Sequence, residues 1–210
     1  MGILMGTTPR RIYLCSQSPR CRELLKQIGI NFEMLLLRCD SRRGLDVNES
    51  PLDGEPAESY VQRICQEKAR AGAESLRLRS LPPFPVLAAE TIVVLNGKIF
   101  GKPEHVNQAA DMLRQLSGNE HQVLSAVAVA LGNRTEMALS VSTVRFVSLS
   151  EDRIQRYVLS REYADKAGAY SIQGQSGAFV EYLAGSYSGV MGLPLSETVD
   201  LLQRFDYPTP

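Results

Sequence analysis

The sequence predicts an α/β fold built on an elongated, mixed sheet flanked by helices, with room in 210 residues for two lobes around a central cleft. Three observations predict it. Short apolar runs alternate with amphipathic stretches of helical period. Two long runs, Val123 to Leu131 and Met137 to Leu149, read as an antiparallel pair turning at Gly132-Asn133. Hydrophobic residues make up 44% of the chain, enough for a packed core and too many for a disordered one.

Taken in order, Ile12 to Cys15 reads as a short buried strand. Ser18 and Pro19 then suit the N-cap and first position of a helix whose stripe is Leu24, Leu25 and Ile28 and whose stop is Gly29. Phe32 to Leu37 predicts a second strand, and Asp40 to Glu55 a long polar loop. Pro56 opens a helix reaching about Leu78, with Val61, Ile64, Cys65 and Gly72 on one side. Val86 to Ala89 and Ile92 to Leu95 read as strands separated by a break at Glu90-Thr91. Asn96-Gly97 is a two-residue hairpin turn, with Lys98 to Phe100 as the return strand. Val106, Ala109, Ala110, Leu113 and Leu116 make the next helical stripe, ended by Gly118. Ser150 caps a helix with Glu151 and Asp152 at its positive end. Asp165 to Gly177 is a Gly-rich polar segment and Ala178 to Leu183 a strand. Gly185 to Pro194 reads as a second Gly-rich loop and Ser196 to Phe205 as a closing helix. The whole chain is expected to form a single domain, with residues 1–10 as a flexible N-terminus.

Composition narrows the classes of function. Lys+Arg and Asp+Glu both number 23, which argues against nucleic acid or an anionic membrane as partner while leaving a small anion open. The longest clean apolar run, Ala126 to Leu131, is far too short to span a bilayer. The first eleven residues lack a signal peptide's pattern. Cys15, Cys21, Cys39 and Cys65 show no CxxC spacing, so they read as structural thiols of a cytoplasmic protein.

Several residues could carry chemistry. Ser16 to Arg20 leaves a strand and opens a helix, where free backbone N–H groups, two hydroxyls and a guanidinium suit phosphate. Lys68 falls on the inward stripe of its helix: either its stem snorkels past the core edge or its ammonium meets an anion in a cleft. Glu90 interrupts a buried apolar run, so it is either a salt-bridged structural acid or one facing a cleft. Asp165, Lys166 and Gln173 gather an acid, a base and an amide among glycines that allow close approach of a ligand. His105 and His121, far apart and without a carboxylate at ligand spacing, read as surface residues rather than zinc ligands.

Together these segments resemble the Maf family. The matching pieces are Leu14 to Arg20, Glu67-Lys68-Ala69, Ala89-Glu90-Thr91, Gly101-Lys102-Pro103, Asp165 to Tyr170, Ile172-Gln173-Gly174 and Gly192-Leu193-Pro194, in the family's order. The resemblance implies the two-lobed architecture shared with inosine-triphosphate pyrophosphatases and a nucleotide cleft between the lobes. It implies hydrolysis of a nucleoside triphosphate to the monophosphate and pyrophosphate. Arg20, Thr91 and Gln173 match the branch that prefers dTTP and UTP, with modified pyrimidine triphosphates as further candidates.

On that resemblance Glu90 is the proton acceptor and the carboxylate for Mg²⁺ or Mn²⁺. Ser16, Arg20, Lys68, Lys102 and Lys166 neutralise the triphosphate, and Thr91 and Gln173 read the base. The family also implies a homodimer. Three departures stand out: Glu90 replaces the usual Asp, Ser41 follows Asp40 where an acid is usual, and Cys21 replaces an Arg. The extra methylene of Glu90 moves its carboxylate by roughly 1 Å, a shift that can cost about 100-fold in rate. These departures keep open an alternative from another class, a non-catalytic nucleotide-binding regulator of septation.

Overall fold

A computed structural model describes residues 11–37 and 47–209. The expected flexible segment at 1–10, and the readings placed on Cys39, Asp40 and Ser41, lie outside the described residues. The strands are β1 (Ile12–Leu14), β2 (Phe32–Met34), β3 (Val86–Leu95), β4 (Lys98–Phe100), β5 (Glu120–Leu131), β6 (Arg134–Phe146) and β7 (Val180–Ala184). The helices are α1 (Pro19–Gln27), α2 (Ala57–Leu78), α3 (Val106–Leu116), α4 (Glu151–Leu159), α5 (Tyr187–Met191) and α6 (Leu195–Arg204).

The seven strands form one sheet in the order β2-β1-β3-β5-β6-β7, with β4 also paired to β3. β1 runs parallel to β2 and β3, and the remaining pairs are antiparallel, so the sheet is mixed as expected. The turn at Asn96-Gly97 has positive φ at both residues, the requirement of the tight hairpin read from the sequence.

The expected break at Glu90 does not occur. β3 runs unbroken for ten residues, and Glu90 keeps antiparallel register with Ala126 of β5. The opening lies on the other side of the strand. There β1 pairs with β3 only at Val86 and Leu87, and β4 only from Val93 to Leu95. Residues 88–92 therefore have no strand partner on that side, and the sheet splits around them.

The apolar clusters divide the same way. On one face α2 packs on β1, β3 and β5 through Val61, Cys65, Ala69, Ala88 and Leu124. Gly72 permits this approach, since a Cβ there would come within 2.7 Å of Val86 Cγ1. The opposite face carries two separate cores. One joins Leu14, Leu25, Leu87, Val127 and Leu202 of β1, α1, β3, β5 and α6. The other joins Phe100, Leu113, Phe146, Ile154 and Phe179 around α3 and α4. Each fully buried Leu, Ile or Phe contributes roughly 1.5–3 kcal/mol relative to exposure. These two cores are the two lobes.

Local details differ in places from expectation. Ser18 stands at the N-cap of α1 without a side-chain cap bond, and its own N–H donates to Ser16 Oγ (3.2 Å) instead. Ser150 caps α4 as expected, accepting from the Arg153 N–H. The stretch read as a loop at Gly185 to Pro194 contains α5, too short to show a period, capped by Ser186 and ended by Gly192 at φ +117°. His105 is exposed and its Nδ1 accepts from the Gln108 N–H at the start of α3.

Candidate active site

A cleft of about 910 Å³ opens where the sheet splits. Ser16, Arg20, Lys68, Glu90, Thr91, Lys102, Asp165 and Lys166 all line it, drawn from five separate parts of the chain. Gln173 does not; it is exposed and outside the lining.

Each side chain arrives for a local reason. Side chains alternate along β3, so Glu90 shares a face with Ala88 and Ile92, toward α2, while Thr91 points to the opposite face. Both reach the cleft because the strand edge between them is open. Lys68 follows Ile64 and Cys65 by four and three residues on α2, so its stem lies on the buried stripe and its ammonium reaches Glu90. Ser16 and Arg20 flank the start of α1. The Arg20 Nε–H donates to the Met191 carbonyl at the end of α5 (3.1 Å), which sets the position of the guanidinium.

Lys68 is the centre of the acidic wall. Its Nζ lies 2.5 Å from Glu90 Oε2 and 2.8 Å from Glu49 Oε1. The Lys68 and Glu90 side chains are 17% and 20% exposed, so the pair sits at the cleft's base rather than in bulk solvent. Both alternatives left open by the sequence therefore hold together: Glu90 is salt-bridged, and it faces the cleft. Burial alone would lower the Lys68 pKa, but the Glu90 and Glu49 carboxylates outweigh it and leave it raised.

A second group is cationic. The Lys166 pKa is lowered, first by burial and then by the like charge of Arg20, with Lys102 adding to it. Asp165 and Glu162 offset only part of this. The like charges of Arg20 and Lys102 beside Lys166 make this side of the cleft electropositive, an arrangement that an anion would relieve.

Sequence reasoning missed Glu49. A single acid in a polar loop carries no periodicity, and its partner Lys68 lies nineteen residues away on a helix. Cys21, which stands where the resembling family has Arg, is a buried thiol whose Sγ donates to the Gly192 carbonyl (3.6 Å).

His121 was expected at the surface, yet it is 2% exposed. It packs edge-on to Phe146, and its Nε2 lies 2.9 Å from the hydroxyl of Tyr170, which lines the cleft. Burial pushes its pKa down to about 4. The folded value lies below the unfolded one of about 6.5, so the unfolded chain binds the extra proton first. Stability from this residue is present above about pH 6.5 and lost as pH falls toward 4. Urea titrations of His121→Phe against wild type should show a flatter acid limb, by roughly 2–3 kcal/mol between those values.

A family model described as Maf-like protein matches residues 11–205. The dTTP/UTP pyrophosphatase of Aromatoleum aromaticum is 52% identical over 199 residues, covering 94% of this chain and 97% of that protein. That of Nitrosospira multiformis is 53% identical, covering 95% and 97%. That of Chromobacterium violaceum is 47% identical, covering 98% and 100%. Among solved structures the Staphylococcus aureus Ham1 protein aligns with a TM-score of 0.48 at 16% identity, covering 93% of this chain and 97% of that one, a likeness too distant to bear on function.

Proposed function

This chain belongs to the Maf-like protein family, and from that premise we propose that it hydrolyses dTTP and UTP to the nucleoside monophosphate and pyrophosphate. The observation that carries the reading is the convergence of Arg20, Lys102 and Lys166 in one cleft with the Glu49–Lys68–Glu90 cluster.

In this reading the triphosphate spans the cleft, with Ser16, Arg20, Lys102 and Lys166 against its oxygens. Lys68 sits beside the phosphate to be attacked. Glu90 holds the attacking water in line and takes its proton as the α–β anhydride bond breaks and pyrophosphate leaves. A carboxylate is a weak base at neutral pH, so orientation of the water is its larger contribution. Thr91 meets the base. Gln173 is assigned to the base by resemblance alone: it is exposed and lies outside the cleft lining.

A divalent cation fits this donor set. Among the described residues no group of three or more His, Cys, Asp or Glu forms a metal cage. Mg²⁺ and Mn²⁺ are commonly held by one or two carboxylates together with substrate phosphates, and Glu90 and Glu49 supply two carboxylates at the cleft. When bound, the ion would neutralise phosphate charge and polarise the reacting centre.

The proposal extends to a cytoplasmic homodimer of a single Maf-like domain with no nucleic-acid or membrane partner. The net charge of zero supports the absence of a nucleic-acid partner and the buried thiols of Cys15, Cys21 and Cys65 the reducing compartment, while the homodimer rests on the family resemblance; among the described residues no helix is long and apolar enough to cross a membrane. The test incubates purified protein with a panel of triphosphates and Mg²⁺ or Mn²⁺, assaying pyrophosphate against orthophosphate. Pyrophosphate from dTTP or UTP is expected. Binding without turnover would instead favour the regulator, and orthophosphate as first product would refute the scheme.

A further inference from the structure

We propose that Ser125 is a positioning residue for substrate selection, committing the Thr91 hydroxyl to present only a hydrogen-bond acceptor to the base. The proposal rests on the pyrimidine nucleotide reading above.

Ser125 lies on β5, 1% exposed, directly across from Thr91 in the β3–β5 register. Its Oγ is 2.6 Å from the Gly189 carbonyl and 2.8 Å from Thr91 Oγ1. A carbonyl can only accept, so the single proton of Ser125 is used on Gly189. The contact with Thr91 then needs a proton that only Thr91 can supply. Thr91 is therefore left with lone pairs toward the cleft it lines.

The carbonyl that starts this relay is itself held in place. Gly189 N–H donates to Ser186 Oγ at 2.9 Å, and Ser186 N–H donates to Ser142 Oγ on β6 at 3.0 Å. With the Gly189 oxygen held in this way, the Ser125 proton has a set acceptor and Thr91 is the donor in its bond to Ser125.

An acceptor in that place has a chemical preference. Thymine and uracil carry an N3–H between two carbonyls, which Thr91 can accept. Cytosine has a bare lone pair at N3, which an acceptor-only Thr91 opposes. A site whose buried polar group meets its complement rejects the analogue that leaves it unpaired.

The test compares kcat/KM for UTP and CTP in wild type, Ser125→Ala, Ser125→Cys and Thr91→Val. In Ser125→Ala the Thr91 proton is released to turn toward the cleft. The UTP-over-CTP preference should fall about tenfold, the scale of one lost hydrogen-bond match, through opposite changes in the two KM values while kcat for UTP stays within about twofold. Ser125→Cys keeps nearly the native volume with a weaker donor, and should fall between. A purely structural serine would slow both substrates alike and leave the ratio unmoved.

An unchanged ratio in both Ser125 variants, with Thr91→Val collapsing it, overturns the relay while leaving base reading by Thr91 intact. An unchanged ratio in Thr91→Val overturns the base contact itself. No pyrophosphate from either nucleotide in wild type refutes the function, and the relay with it.

Discussion

Glu90→Gln should lower kcat for UTP or dTTP by about 10²–10⁴-fold while KM changes little, the range associated with a positioned acid or base. The amide keeps the size of the side chain but cannot take a proton, and it loses the charge that pairs with Lys68. It also removes one of two carboxylates available to a cation. Initial rates of pyrophosphate release at saturating substrate check the result, with circular dichroism confirming the fold. Glu90→Asp, which restores a carboxylate one methylene shorter, should remain well above Glu90→Gln. Wild-type turnover in the glutamine variant would remove Glu90 from the chemistry.

Lys68→Met should lower kcat/KM by about 10²–10³-fold, as expected for loss of an electrostatic group aimed at the reacting phosphate. It should also lower stability. Methionine preserves the buried stem but leaves Glu90 and Glu49 facing each other without a cation. Breaking a buried ion pair from one side costs about 3–5 kcal/mol, and the 55% exposure of Glu49 reduces this here to about 1–3 kcal/mol.

The pH dependence gives the sign. The two carboxylates hold the Lys68 pKa above its unfolded value, despite burial pulling it down. The bridge's stability is therefore fully present below about pH 10.4 and is lost as pH rises through the higher folded value. Alkaline urea titrations should show that decline in wild type and a weaker one in Lys68→Met. Equal alkaline limbs, with equal turnover, would show that the bridge contributes nothing.

Glu49 and Glu90 show how legible the site was. Glu90 stood out because a charge inside an apolar run violates the cost of burial, a rule that sequence alone can apply. Its neighbours did not reveal where the room for it lay. A break in the strand was the local solution, whereas the structure keeps the strand whole and opens the sheet beside it. That choice depends on how far β1 and β4 extend along β3, which no residue of β3 encodes. Gln173 and Thr91 were matched by the same motif reasoning, yet only Thr91 lines the cleft. Motif spacing carries residue identity but not the path of the loop between motifs.

By itself the sequence determined the α/β class, the long amphipathic helix carrying Lys68, the Asn96-Gly97 hairpin, and the cationic side chains suited to a polyanion. These follow from periodicity, turn chemistry and burial cost, all readable within a few residues. Only the tertiary structure decided the split in the sheet, the meeting of Glu49 with Lys68, the burial of His121 and the serine relay behind Thr91. Each of these joins residues distant along the chain. The free energy that selects them comes from packing whole elements against one another, so it has no local trace.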